Sequence, residues 1–258
     1  MFFKTIDFSK FSSIKVGNKI EVLMIEKGDS IPQNRLIIGH ANNLLVSPTP
    51  PELMMLSKDF DFIKLNKDIL TIGCATPTGK VVSFVRKHDI AGFEFFSKLP
   101  GSVGGMIAMN AGVKSYEIFN ILESIKINDE WIDKEKIEHG YRFAKLSGVV
   151  SEARFKITYG FSQELLDSLV ALRANQPKEP SAGSAFKNPS NDYAGRIIEA
   201  IGLKGVRKGG MGWSEVHANF LVNFGEGNFE DALYLITEAK KRAKEQFGIE
   251  LQEEIQVL

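Results

Sequence analysis

Apolar and polar positions alternate in short runs through the first two thirds of the chain, then recur every three or four residues toward its end. Alternation marks a strand with one buried face; the longer period marks an amphipathic helix. Residues 20–26 (IEVLMIE) and 35–39 (RLIIG) read as short strands flanking a polar turn. In 59–74 two alternating runs meet at Asn66-Lys67-Asp68, which predicts a hairpin. A second hairpin is predicted in 124–137, turning at Asn128-Asp129, and a strand over 148–160. Thr76 followed by Pro77 reads as a hydroxyl cap with proline at the first helical position. Val81, Phe84 and Val85 give that helix its apolar face, and it should end near His88-Asp89. A helix is expected from Ser162 to about Asn175, with Leu165, Leu166, Leu169 and Leu172 on one side. Others are expected over about 192–201, stopped by Gly202, and 229–247, stopped by Gly248, with Ala232, Ile236, Ala239 and Ala243 at helical spacing. Strands are expected over 217–223 and in the closing IELQEEIQVL, while 177–189, with three prolines, reads as a boundary. A strand-rich part followed by a helix-rich part, without steady βαβ alternation, indicates an α+β fold with several small sheets.

Composition narrows the class of function. The 258 residues carry 32 basic and 32 acidic side chains, so no basic excess points to nucleic acid or an anionic membrane. No apolar run reaches the ~20 residues of a membrane span, and the N-terminus carries no signal-peptide pattern. Cys74 is the only cysteine, which excludes an intrachain disulfide and fits a reducing cytoplasm. His40, His88, His139 and His217 are not at metal-ligand spacing, so a metal site is not expected.

The densest chemistry lies in 95–112, FFSKLPGSVGGMIAMNAG. Gly101, Gly104, Gly105 and Gly112 stand among the small residues Ser102, Ala108 and Ala111. Glycine lets another group reach the main chain, and successive amides at a helix start form an anion site. This segment is therefore either a diphosphate cradle or a tight turn that only packs. Its order is not the G-x-G-x-x-G of a dinucleotide fold. In GSAFKNP (183–189), Ser184 sits on an expected turn and is either structural or a proton donor. A hydrolase pair of Ser184 with His217 is conceivable, but nothing singles it out. Glu253 and Glu254 would point to opposite faces of the last strand, as a polar edge or with one carboxyl turned inward.

Several motifs in one order resemble the UDP-N-acetylenolpyruvoylglucosamine reductase family, flavoenzymes that complete UDP-N-acetylmuramic acid for peptidoglycan. They are SSIKVGNKIEVLMI (12–25), NNLLVS (42–47), LPGSVGGMIAMNAG (99–112), GYR (140–142), GSAFKNP (183–189), AGRIIEAIGLKG (194–205), HANFLVN (217–223) and LQEEIQV (251–257). The length is similar to the shorter class of that family. Local departures are His40-Ala41 in place of a glycine-rich pair, Met106-Ile107, Val216 before the histidine, and Gln252-Glu253-Glu254-Ile255-Gln256 at the end.

The resemblance implies a two-lobed FAD-binding unit of the vanillyl-alcohol-oxidase type, with lobes at 1–57 and 58–174, and a C-terminal α+β substrate domain at 175–258. It implies FAD as cofactor, NADPH as hydride donor, and UDP-N-acetylglucosamine enolpyruvate as substrate. A cytoplasmic monomer is expected. Ser184 would give the proton to C2 of the enolpyruvyl group. Arg142 and a protonated Glu254 would face the enolate. FAD would lie against Asn42, Asn43, Leu44, Gly101, Ser102, Gly104, Gly105, Asn110, Ala111 and Gly112. Tyr141, Lys187, Asn188, His217 and Asn219 would meet the substrate or nicotinamide. Two other readings stay open: another FAD oxidoreductase of the same fold, and a non-catalytic nucleotide-sugar-binding protein.

Overall fold

A computed structural model describes residues 1–172 and 174–258. The chain forms two compact units. One comprises Met1–Lys4, Val22–His40 and Glu52–Ala174; the other comprises Thr5–Glu21, Ala41–Pro51 and Asn175–Leu258.

The first unit is built on a five-stranded antiparallel sheet in the order Glu130–Asp133, Leu122–Ile127, Val150–Lys156, Ile69–Gly73, Ile63–Asn66. Both predicted hairpins are there, with Asn66 opposite Ile69 and Ile127 opposite Glu130. Asn128 and Asp129 take φ of 50° and 64°, the left-handed pair of a type I′ turn. Leu70, Ile72, Ala153 and Phe155 turn into the core, where alternation along each strand delivers them. The helix Thr78–Lys87 adds Val81 and Val85 to that core. Phe93, Phe95, Phe96 and Phe155 fill its centre, with Phe93 and Phe155 edge to face at 5.2 Å. Strand Leu53–Leu56 lies parallel to both Lys19–Ile25 and Leu36–Ile37.

The second unit has a four-stranded sheet in the order Ser181–Ser184, Phe220–Asn223, Met211–Trp213, Arg207–Lys208. The helix Phe229–Phe247 buries Ala232, Ile236, Ala239 and Ala243, the stripe its spacing predicts. Asn228 caps its start by accepting from the Asp231 amide, and Gly248 ends it at φ +69°. Strand Leu44–Leu45 pairs in parallel with Gln256–Val257. Strands and helices sit in several small sheets with no steady alternation, as an α+β fold requires.

Five local expectations change. Pro77, not Thr76, precedes the helix Thr78–Lys87, and the Thr76 hydroxyl donates instead to the Phe62 carbonyl at 3.1 Å. The helix after Ser162 ends at Ala171, so Leu172 is exposed and only Leu169 of its leucines is fully buried. The boundary segment contains the strand Ser181–Ser184, paired to Phe220–Asn223. His217 to Asn219 form a turn ahead of that strand, and at the C-terminus only Gln256–Val257 is strand. At Ser181–Ser184 and Gln256–Val257, pairing partners far along the chain override local pattern.

Gly248 has open space around its missing Cβ, so its requirement is conformational alone. Gly248→Ala should cost about 1 kcal/mol, the usual penalty for a left-handed non-glycine residue, as a lower urea midpoint at unchanged slope. An unchanged midpoint would mean the helix end relaxes out of this conformation.

Candidate functional site

A cavity of about 100 Å³ opens in the first unit, walled by Ile37–His40, Met55, Leu56, Cys74, Ala75, Ser102, Gly104, Gly105, Ala108, Leu146, Gly148 and Val150. Strand ends and the helix Val103–Ala108 bring these stretches together. Close approach of main chains requires glycine here. A Cβ on Gly39 would stand 2.8 Å from Ser102 Oγ, and one on Gly104 would stand 3.1 Å from the Cys74 carbonyl. Of the sequence-predicted cofactor residues, Ser102, Gly104 and Gly105 line this cavity. Gly101 is held beside it, its carbonyl accepting from the Thr78 amide at 3.0 Å.

The first-turn amides of Val103–Ala108 are engaged within the protein. Val103 N–H donates to the Thr76 carbonyl at 3.0 Å, Gly104 N–H to the Cys74 carbonyl at 2.9 Å, and Gly105 N–H to Ser102 Oγ at 3.3 Å. These three amides therefore do not make a diphosphate cradle. What the segment presents is bare Cα surface, which suits a flat, apolar ring that side chains would exclude. Burial pushes the Cys74 thiol well up and the His40 imidazole down, while a hydrogen bond with the Gly101 main chain partly offsets the shift at His40. Both are held neutral, so the wall carries no thiolate or imidazolium at neutral pH.

Asn110, Ala111 and Gly112 lie outside that lining. Asn110 is fully buried at φ +37°, and its carboxamide serves the protein. Nδ2 donates to Glu117 Oε2 at 2.9 Å and to the Gly140 carbonyl at 3.1 Å, and Oδ1 accepts from the Phe119 amide at 3.3 Å. Tyr141 and Arg142 follow at once. Arg142, at φ +61°, sends Nη2 to the Gly112 carbonyl at 3.1 Å and stacks its guanidinium over the half-exposed Tyr141 ring at 5.0 Å. Glu117 was not singled out by the sequence, because only the tertiary pairing of Gly112 with Glu117 brings it to this turn.

In the second unit Ser184, Glu254 and Asn43 are knit through the main chain. Ser184 ends its strand opposite Phe220, after Gly183 at φ +82° and a break in register. The next carbonyl, of Ala185, accepts from the Glu254 amide at 2.8 Å and the Ile255 amide at 3.2 Å. Asn43 Nδ2 donates to the Glu254 carbonyl at 2.8 Å, and the Asn43 carbonyl accepts from the Gln256 amide at 2.9 Å. Leu44 stands opposite Gln256, and the Asn42 carbonyl accepts from Ser13 Oγ at 3.0 Å. Glu253 turns the other way, to an exposed ion pair with Lys240.

Asn219 is buried and devotes its carboxamide to one residue. Oδ1 accepts from Phe186 N–H at 3.0 Å and Nδ2 donates to the Phe186 carbonyl at 2.8 Å. Its own carbonyl takes the Ala185 amide at 2.8 Å. Its side chain thus clamps the segment behind Ser184 and faces protein, contrary to the substrate contact the sequence suggested. Asn188 Oδ1 accepts from the Ala194 amide at 3.0 Å, and Lys187 is tied by its amide to the Gln252 carbonyl at 2.8 Å. His217 Nδ1 accepts from Asn219 N–H at 3.3 Å, so that nitrogen is unprotonated; burial, then Lys204, lower its pKa. Arg142 and Tyr141 belong to the first unit, and the other residues of this group to the second. Among the described residues, no cluster of His, Cys, Asp or Glu could hold a metal ion, and no helix is long and apolar enough to cross a membrane.

Residues 176–258 match the model of the UDP-N-acetylenolpyruvoylglucosamine reductase C-terminal domain. The chain is 48% identical to the UDP-N-acetylenolpyruvoylglucosamine reductase of Helicobacter hepaticus over 257 residues, 98% of each chain. It is 43% identical to that of Campylobacter jejuni over 258 residues, covering 98% of this chain and 99% of the relative. Its fold matches the crystal structure of UDP-N-acetylenolpyruvylglucosamine reductase from Thermus caldophilus with a TM-score of 0.86 at 28% identity, covering 100% of this chain and 99% of the other.

Removing the Asn219 clamp leaves a buried amide and carbonyl at Phe186 without partners. Asn219→Ala should therefore lower stability by about 2–4 kcal/mol in urea unfolding, and a loss below ~0.5 kcal/mol would show the clamp to be idle. His40 and His217 are both held below the ordinary 6.5. The unfolded chain binds more protons than the folded one below that value, so stability is full above it and falls as pH drops through the folded values. The urea midpoint at about pH 5 should lie under that at about pH 7.5, with a smaller gap in His217→Gln. A gap unaltered by that variant would remove His217 from the account.

Proposed function

Because the chain belongs to the UDP-N-acetylenolpyruvoylglucosamine reductase family, we propose that it reduces the enolpyruvyl group of UDP-N-acetylglucosamine enolpyruvate to give UDP-N-acetylmuramate, a peptidoglycan precursor. The observation that carries this reading is 48% identity over 98% of both chains. The cavity supports it, since glycine main chain and apolar side chains make a slot that fits a flat ring system. Ile38, Gly39, His40, Ser102, Gly104 and Gly105 would hold FAD there, with Gly101 steadying the turn. Bound FAD, recharged by NADPH, would supply a hydride to C3 of the substrate's double bond.

The chain's own residues handle the charge and proton that this addition demands. Adding a hydride at C3 leaves an electron pair at C2 that spreads into the neighbouring carboxylate. Arg142 would hold that carboxylate, with a protonated Glu254 as the second donor facing it. Fixed donors aimed at developing charge lower the barrier more than any other single effect in most such reactions. The Ser184 hydroxyl would then give its proton to C2, completing a C–H bond at each carbon. Serine is a weak acid, but the C2 carbanion is a far stronger base, so the transfer runs downhill once water is excluded. The tie from Ala185 to Glu254 supports these roles, because it keeps proton donor and carboxyl in fixed register. Asn43 steadies the Glu254 carbonyl from the other side. Lys187, half-buried beside this strand, is the side chain proposed to meet the substrate's diphosphate.

The purified protein should be yellow and release FAD on heating, and its NADPH oxidation should depend on UDP-N-acetylglucosamine enolpyruvate. Ser184→Ala should leave flavin reduction by NADPH intact while lowering substrate turnover by about 10²–10⁴-fold, the usual worth of a general acid. Protein that takes up no FAD, or NADPH oxidation indifferent to the substrate, would sink the reading. Slowed flavin reduction in Ser184→Ala would move that serine to another role.

A further inference from the structure

We propose that Glu117 is a positioning residue for Arg142, acting through Asn110 and Gly112; this rests on the reading of Arg142 as the residue that holds the substrate carboxylate. The turn that carries Arg142 is tied twice to the stretch 110–119. Its main chain is tied at Gly140, whose carbonyl accepts from Asn110 Nδ2 at 3.1 Å. Its guanidinium is tied at the Gly112 carbonyl, 3.1 Å from Nη2. Glu117 touches the partner in each tie. Its Oε2 takes the other hydrogen of Asn110 Nδ2 at 2.9 Å, and its main chain stands directly opposite Gly112. That pairing is so close that a Cβ on Gly112 would come 2.8 Å from Glu117 Cα.

The Asn110 carboxamide has only one workable orientation. The Phe119 amide is a donor, so the atom it meets must be Oδ1, which turns the NH₂ toward Glu117 and Gly140. One hydrogen meets each oxygen. A carboxylate makes its bond charge-assisted and about twice as strong as a neutral one. Asn110 is fully buried at φ +37° and Arg142 stands at φ +61°, so both backbones are held in conformations that need support from outside. Without the Glu117 oxygen, Asn110 loses one of the three bonds that aim it. The Gly140–Arg142 turn then gains freedom, and the guanidinium it carries loses part of its support. A misplacement of ~1 Å in a charge-stabilising group is enough to cost on the order of 10²-fold in rate.

The test is kinetic, on FAD-loaded enzyme. Glu117→Ala should lower kcat for the enolpyruvyl substrate about tenfold or more, leaving flavin reduction by NADPH unchanged. Glu117→Gln, whose amide oxygen can still accept from Asn110, should keep kcat within about threefold of the parent. In a double-mutant cycle, Glu117→Ala combined with Arg142→Ala should be no slower than Arg142→Ala alone, because an effect routed through the guanidinium vanishes with it. Additive losses, an equal slowing of the NADPH half-reaction, or an unchanged kcat would each overturn the proposal. If Glu117→Ala does not fold, Glu117→Asp keeps the charge but withdraws the oxygen, and should show the same selective loss; full activity in that variant would overturn it. A parent enzyme indifferent to the enolpyruvyl substrate would refute the functional reading itself and this inference with it, distinctly from any result on the variants.

Discussion

Irregular main chain can be buried only if its amides and carbonyls find partners, and three buried asparagines meet that demand where it is greatest. Asn110 serves Phe119 and Gly140 in the first unit, and Asn219 serves both polar groups of Phe186 in the second. Asn223 donates to the Ile14 and Lys15 carbonyls and accepts from the Gly225 and Gly227 amides. A carboxamide suits this task because it is donor and acceptor at once, at the spacing of a peptide group. Each unmet buried group would cost about 1–3 kcal/mol, a large part of a domain's net stability. Ser184 ends a paired strand and Arg142 stands in the turn of a short hairpin, and Asn219 and Asn110 tie the main chain beside each.

The same restraint of charge runs through the cavity. His40 and Cys74 sit there neutral, and the helix amides beside it are answered by the Thr76 and Cys74 carbonyls and by Ser102. A surface of this kind recognises a ligand by shape and dispersion. A fixed charge stands outside that lining, at Arg142 on its left-handed turn.

Much of the architecture was legible because it follows from local periodicity. The hairpin at Asn128-Asp129, the long helix capped by Asn228 and Gly248, and the strand Val150–Lys156 all obey rules that act over a few residues. The errors share a cause. The segment 177–189 reads only as a proline-rich boundary, because the strand Ser181–Ser184 inside it shows itself through Phe220–Asn223, some way along the chain. The terminal ten residues look like one strand, yet only Gln256–Val257 finds a partner, in Leu44–Leu45. Among the candidate site residues, Ser102, Gly104 and Gly105 do line a cavity, whereas Asn110 and Asn219 turn out to serve the protein's own backbone.

Residue order alone determined the two hairpins, the strand Val150–Lys156 and the long helix Phe229–Phe247, and its motifs determined the family. Those signals are local in range or carried by the identity of neighbouring residues, so they do not depend on long-range contacts. Only the tertiary structure decided which polar side chain answers which buried backbone group. Asn110 and Asn219 look like ligand contacts in a motif, but a carboxamide bonds whatever the fold places within about 3 Å, and in this fold that is main chain and, for Asn110, the Glu117 carboxyl as well. Glu117 gained its place for the same reason: its partner is set by the pairing of Gly112 with Glu117, a contact that spacing along the chain does not announce.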